Sequence, residues 1–167
     1  MRTIEQLLQA KGSDIWSIAP QATAYNALQI MAEKNVGALL VIEKEKLLGI
    51  FSERDYARKV ILKEKSSKNT SVGDLMTREV IYISADSTLE ESMALMTAKH
   101  IRHLPVLKNN ELIGIVTLGD VVRQIISDQK FAIRELEKYI TGGYNVWHLS
   151  SQAEMHSETI AKRLFFI

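Results

Sequence analysis

Gly49-Ile50-Phe51-Ser52-Glu53-Arg54-Asp55 returns as Gly114-Ile115-Val116-Thr117-Leu118-Gly119-Asp120, a shift of 65 residues. Each stretch is a glycine, two apolar residues, a hydroxyl, two variable residues and an aspartate. Working outward, 15–61 aligns with 80–126 without a gap. Identical pairs include Ile18/Ile83, Thr23/Thr88, Met31/Met96, Leu39/Leu104, Val41/Val106, Leu47/Leu112 and Arg58/Arg123. Other pairs keep polarity, as in Leu28/Met93, Val36/Ile101 and Leu48/Ile113. A gapless register of this length indicates an internal duplication, which sets the architecture before any single element is read.

Each copy carries the same series of elements. A short extended piece comes first, Trp16-Ser17-Ile18 or Ile81-Tyr82-Ile83. A helix then opens at Thr23 or Thr88, whose hydroxyl can accept from free backbone N–H groups. Glu91, three residues after Thr88, completes a capping box in the second copy. Ala24, Ala27, Leu28 and Met31 follow at helical spacing, as do Leu89, Met93 and Met96. The apolar runs 38–42 and 104–107 suit strands covered on both faces. Polar turns at 43–46 and 108–111 lead to second strands over 47–51 and 112–116. Last helices begin near Arg54 and Gly119. Each unit therefore reads β-α-β-β-α.

Residues 63–71 are charged and small and read as a linker, and 72–76 as a short helical lead into the second copy. A further helix is expected over 127–140, ended by Gly142-Gly143, and a short amphipathic one over 154–166. The expected division is 1–65 for the first unit with an N-terminal helix, 66–127 for the second, 128–144 for the C-terminal helix and 145–167 for a weakly patterned tail.

Composition bounds the function. The 167 residues carry 21 Lys+Arg against 20 Asp+Glu, a net charge of +1. That balance argues against nonspecific nucleic-acid binding, which needs a strong cationic field. No cysteine is present, which removes disulfides, thiol catalysis and Cys-ligated metals and fits a cytoplasmic location. The N-terminus has no secretory pattern, and no stretch approaches the ~20 apolar residues of a membrane span. His100, His103, His148 and His156 form no metal-ligand spacing, and neither a nucleophile elbow nor a phosphate loop occurs. A non-catalytic role follows, with no metal site expected.

The repeated motif places a hydroxyl at a strand end and an aspartate one helical turn later. A hydroxyl near a helix N-terminus can donate to phosphate, where the dipole also favours an anion. A carboxylate can accept from both hydroxyls of a ribose. The same Ser/Thr-x-x-Asp spacing is also a plain helix-start signature. Both readings stand on the residues alone.

Taken with the duplication and with Arg102-His103-Leu104-Pro105-Val106, the motif pair resembles a tandem of cystathionine-β-synthase (CBS) domains, a Bateman module, over about residues 3–140. Phe51-Ser52-Glu53-Arg54-Asp55-Tyr56 is further similar to small stand-alone CBS-pair proteins. The resemblance implies an α+β fold of two β-α-β-β-α repeats packed by pseudo-twofold symmetry, plus a C-terminal helix. It implies a regulatory sensor for an adenosyl ligand, with AMP first and ATP, ADP, NAD(H) or S-adenosylmethionine as alternatives. It also implies a homodimer, an unidentified protein partner, and neither nucleic acid nor membrane.

Carried over, Asp55 and Asp120 would hold ribose hydroxyls, and Ser52 and Thr117 ribose or phosphate. Ser17, Ile18, Tyr82, Ile83, Gly37, Ala38, His103 and Pro105 would wall the base. Arg102 and His103 match positions of basic phosphate contacts, and Arg54 would reach phosphate across the cleft. The second copy has these cations where the first has Gly37-Ala38, so it is expected to be the stronger site. Simpler roles remain open: Arg54 as a surface ion-pair partner, Arg58 and Arg123 as solvated charges, His103 at a dimer interface, and His100 as a helix-end cation. The competing function is a ligand-independent dimerisation or docking module with vestigial pockets.

Overall fold

The computed structural model describes residues 2–140; the expected helix end at Gly142-Gly143 and the expected helix over 154–166 lie outside them. The first repeat contains α1 (Ile4–Lys11), β1 (Ser17–Ile18), α2 (Ala24–Lys34), β2 (Ala38–Glu43), β3 (Lys46–Ser52) and α3 (Glu53–Lys59). A 3-10 turn, Ile61–Lys63, follows. The second contains α4 (Val72–Leu75), β4 (Ile83–Ser84), α5 (Leu89–Lys99), β5 (His103–Lys108), β6 (Glu111–Thr117) and α6 (Leu118–Ile140). The architecture is α+β, with two three-stranded sheets in the orders β1-β2-β3 and β4-β5-β6. In each sheet the first pairing is parallel and the hairpin antiparallel.

Local chemistry explains the matching elements. Thr23 and Thr88 cap α2 and α5 through capping boxes, with Asn26 playing in the first copy the part Glu91 plays in the second. Asn35 and His100 end these helices in the left-handed region, at φ 52° and 54°. The hairpins turn through Lys44-Glu45 and Asn109-Asn110, all at positive φ. Two residues of positive φ match the twist of the flanking strands, and asparagine tolerates that geometry better than lysine or glutamate. Both hairpins shift register at the same point, after Val41 and Val106.

The two cores exchange their leading helices. Ile4, Leu7 and Leu8 of α1 are buried with Ile83, Leu89, Met96, Leu104, Val106 and Val116 of the second repeat. Val72 and Leu75 of α4 are buried with Ile18, Met31, Leu39, Val41 and Phe51 of the first. Backbone contacts fix the exchange. Ile4 and Glu5 donate to the carbonyls of Ser87 and Ala85, while Val72 and Gly73 donate to those of Ala22 and Pro20. Amphipathic spacing shows which helix face is apolar, but an apolar face carries no label for the core it joins.

The motif glycines permit this exchange. A Cβ on Gly49 would lie 2.6 Å from Met76 Sδ and 2.8 Å from the Thr77 carbonyl oxygen. A Cβ on Gly114 would lie 2.9 Å from both Leu8 methyl carbons. Each glycine thus admits the segment arriving from the other repeat.

Where the sequence suggested two helices, near 119–126 and over 127–140, the structure has one. α6 runs unbroken for 23 residues, because nothing between Asp120 and Gln129 breaks a helix. Val121 is buried, and Ile125 packs against the second core. From Ile126 onward Ile126, Phe131, Ile133, Leu136, Tyr139 and Ile140 are exposed.

Candidate functional site

The strand-to-helix junctions carry both motifs, and both are capping boxes. Thr117 Oγ1 accepts from the Asp120 N–H at 3.2 Å, while Asp120 Oδ2 accepts from the Thr117 N–H at 2.9 Å and hydroxyl at 2.8 Å. Ser52 and Asp55 repeat the pattern at 3.2, 3.1 and 2.6 Å. The plain helix-start reading is therefore realised, and it positions the carboxylates at a cleft. Leu118 N–H donates to the Arg102 carbonyl and Glu53 N–H to that of Gly37, so in each repeat the open end of the hairpin is tied to the start of the helix that follows it.

A cavity of about 890 Å³ opens at the second motif. Thr117, Asp120, Arg102 and His103 line it, together with Gly37 and Ala38 from the first repeat. A smaller one, about 320 Å³, opens at the first motif and is lined by Ser52, Asp55 and Arg54. Gly37, Arg102 and His103 border both. Gly37 and Arg102 are equivalent positions of the duplication, so a bare Cα and a charged side chain both border the two cavities. A Cβ on Gly37 would lie 3.4 Å from Glu53 Oε2 and 3.6 Å from His103 Nε2, in ordinary van der Waals contact with both.

Both aspartates hold cations. Asp120 Oδ2 receives Lys11 Nζ at 2.8 Å and its Oδ1 receives Arg123 Nη2 at 2.6 Å. Asp55 Oδ1 receives Lys59 Nζ at 2.8 Å and the Thr77 hydroxyl at 3.2 Å. Burial, the largest influence on Asp55, would raise its pKa. Hydrogen bonds from Lys59 and Ser52 together outweigh it, and the carboxyl lies below the ordinary value. Asp120 is depressed in the same way, with Lys11 and Thr117 outweighing burial. Both are carboxylates at neutral pH.

His103 goes the other way from a standing cation. Burial first and the Arg102 charge second hold its pKa below 6.5, Asp120 opposes them, and Arg54 and Lys11 add to the depression. At neutral pH it offers a neutral ring. The unfolded chain binds that proton more readily, so His103 contributes stability above the ordinary histidine value and loses it as pH falls through that range.

Not every expected wall residue is at the site. Ile18 and Ile83 are buried in the two cores, and Pro105 is buried in β5. Ser17 is exposed and borders none of these cavities. Tyr82 lines a separate cleft of about 710 Å³ with Ile15, Leu47 and Arg78. Arg54 does border the smaller cavity, and its guanidinium donates to the His100 carbonyl at 2.9 Å. His100 is the helix cap that supplies this carbonyl. Arg58 borders the smaller cavity and Arg123 the larger.

Trp16 and Lys11 are among the lining residues that the sequence reading did not place at the site. Trp16 borders the larger cavity with a partly exposed ring, over which Lys34 Nζ sits at 4.8 Å. Its place one residue before β1 was the available signal. Lys11 reaches Asp120 across 109 positions of sequence, and no spacing rule finds such a pair.

The CBS-domain family matches residues 12–62 and 72–127. The chain belongs to the CBS-domain family. A relative in Arabidopsis thaliana, the CBS domain-containing protein CBSX3, mitochondrial, is 40% identical over 152 residues, covering 85% of this chain and 73% of its own. A CBS-domain structure from Burkholderia ambifaria MC40-6 superposes with a TM-score of 0.75 at 46% identity, covering 77% of this chain and 96% of its own. CBSX2 in complex with AMP superposes at 0.63 and 26% identity, covering 77% and 99%. The two CBS repeats are thus a tandem found in stand-alone proteins. Among the described residues, no helix is long and apolar enough to cross a membrane.

Proposed function

We propose that this CBS pair is a regulatory protein that binds an adenosyl nucleotide at the Thr117–Asp120 junction and passes that state to a protein partner. The observation that carries the reading is a cavity of about 890 Å³ with a fixed carboxylate, a helix start, several cations and an indole ring on its walls. Asp120 would accept from ribose hydroxyls, and Thr117 would meet ribose or phosphate. Arg102, Arg123 and the start of α6 would hold phosphate, since the helix dipole favours an anion there. Trp16, with Val36, Ala38 and Ile115, suits a flat base. The AMP complex of CBSX2 supports AMP as the first ligand to test, with ATP and NAD(H) next. The Ser52–Asp55 junction would be a smaller second site with Arg54. The repeats would divide near 65, with 128–144 and 145–167 beyond them, and the proposed compartment is the cytoplasm. The role is binding and not catalysis. A ligand shifts the pair between arrangements only by binding one better than the other.

Calorimetric titration of the purified protein with AMP, ATP, NADH and S-adenosylmethionine tests this. Saturable heat and a raised melting temperature are expected with at least one. Neither signal with any of the four would overturn the proposal.

His103 supplies a pH signature. A bound phosphate favours the imidazolium and so raises the depressed pKa, which means that binding takes up a proton. Affinity for ATP should rise by about threefold to tenfold from about pH 8 to about pH 6, since one pKa unit is tenfold. His103→Gln should flatten that slope; an equal slope in the variant would assign it to the ligand's own phosphate.

The exposed apolar residues between Ile126 and Ile140 favour a second role, pairing with another copy of the chain. Light scattering of the same samples would then give about twice 18.9 kDa.

A further inference from the structure

An ionised carboxylate offers about four lone-pair sites. Four donors converge on Asp120: the Thr117 N–H and hydroxyl and Lys11 crowd Oδ2, and Arg123 takes one site of Oδ1. The pair of hydroxyls on a ribose needs two of these sites. One or more donors must therefore leave before Asp120 can take a nucleoside. The Thr117 groups belong to the cap that starts α6, and losing them would fray the helix. Lys11 is different. It comes from α1, lines the same cavity, and is tied to Asp120 by this one contact.

We infer that Lys11 is a charge-exchange residue: ribose displaces its ammonium from Asp120, and the freed ammonium turns to the ligand's phosphate. The inference rests on the nucleotide reading and deepens it by assigning specificity. Lys11 competes with every ligand for Asp120, but only a phosphorylated one compensates by giving the ammonium a new anion. The residue therefore works against nucleosides and for nucleotides. A flexible four-carbon stem with a compact charge suits such a change of partner, whereas a planar guanidinium is held by its paired geometry. The α1 backbone need not move, because Ile4, Leu7 and Leu8 fix it in the second core. Asp55 also meets four donors, but its lysine, Lys59, sits one turn along the same helix. The exchange between repeats belongs to the larger cavity alone among the two.

AMP and adenosine are titrated into the wild-type protein, Lys11→Met and Lys11→Arg. Lys11→Met should bind adenosine about tenfold more tightly and AMP about tenfold more weakly, as loss of one charged hydrogen bond gives in each direction. Lys11→Arg should narrow the preference for AMP, because a guanidinium held on Asp120 opposes both ligands alike. A shift of both ligands in the same direction, or of neither, overturns the exchange. No binding of either ligand to the wild-type protein overturns the nucleotide reading itself and the inference with it. If Lys11→Met does not fold, Lys11→Gln gives the same test, because it too removes the charge.

Discussion

Alanine at Phe51 should lower the stability of the protein by about 3–5 kcal/mol, the range for emptying a phenylalanine site in a closed core. Phe51 is fully buried in β3 opposite Leu39, and its cluster gathers β1, α2, β2 and α4. Val72 and Leu75 arrive in that cluster from the second repeat's leading helix, so they cannot relax toward the hole without pulling the 70–73 backbone from Ala22 and Pro20. Its counterpart Val116 is equally buried but smaller, and Val116→Ala should cost about 2 kcal/mol. Urea unfolding of both variants measures the difference. A loss of less than about 1 kcal/mol for Phe51→Ala would mean that the exchanged helix is not seated on this core.

Asp120→Ala should weaken adenosine binding by about tenfold to a hundredfold, the worth of hydrogen bonds to a charged group. For AMP the loss should be smaller. Removing the carboxylate also releases Lys11 and Arg123, and both then face the phosphate. The ligand-free protein should lose only about 1 kcal/mol, because Thr117 still caps α6 and the Arg123 pair is largely exposed. Calorimetry with both ligands, beside a melting curve of the free protein, separates the two effects. Unchanged affinity for both would favour the docking role over the sensing one. Asp55→Ala should have less effect on the tighter site, since Asp55 borders only the smaller cavity of the two.

Much of this was legible in the chain. The 65-residue shift, the capping threonines and the paired Gly-x-x-Ser/Thr-x-x-Asp stretches gave the repeats, the hairpins and the carboxylates at strand ends. These features are local: a cap acts over three residues and a hairpin over two. Arg102, His103, Gly37 and Ala38 were expected at the cleft from the family resemblance, and all four line the larger cavity. Residues 17–18 and 82–83 were expected at the base wall from the resemblance; strand alternation turns the Ile18 and Ile83 side chains into the cores and leaves Tyr82 at another cleft. Trp16 is the residue that borders the cavity instead.

By itself, the sequence determined the duplication, the order of elements within each copy and the chemistry of the repeated motif, because each is written in contiguous residues. Only the tertiary structure decided that α1 completes the second core and α4 the first, and that Lys11 closes on Asp120. Hydrophobic burial has no direction and favours any apolar face that fits. Both repeats carry the glycine that leaves room, so which core receives which helix is decided by long-range packing, and a lysine 109 residues from its aspartate becomes its partner only once that choice is made.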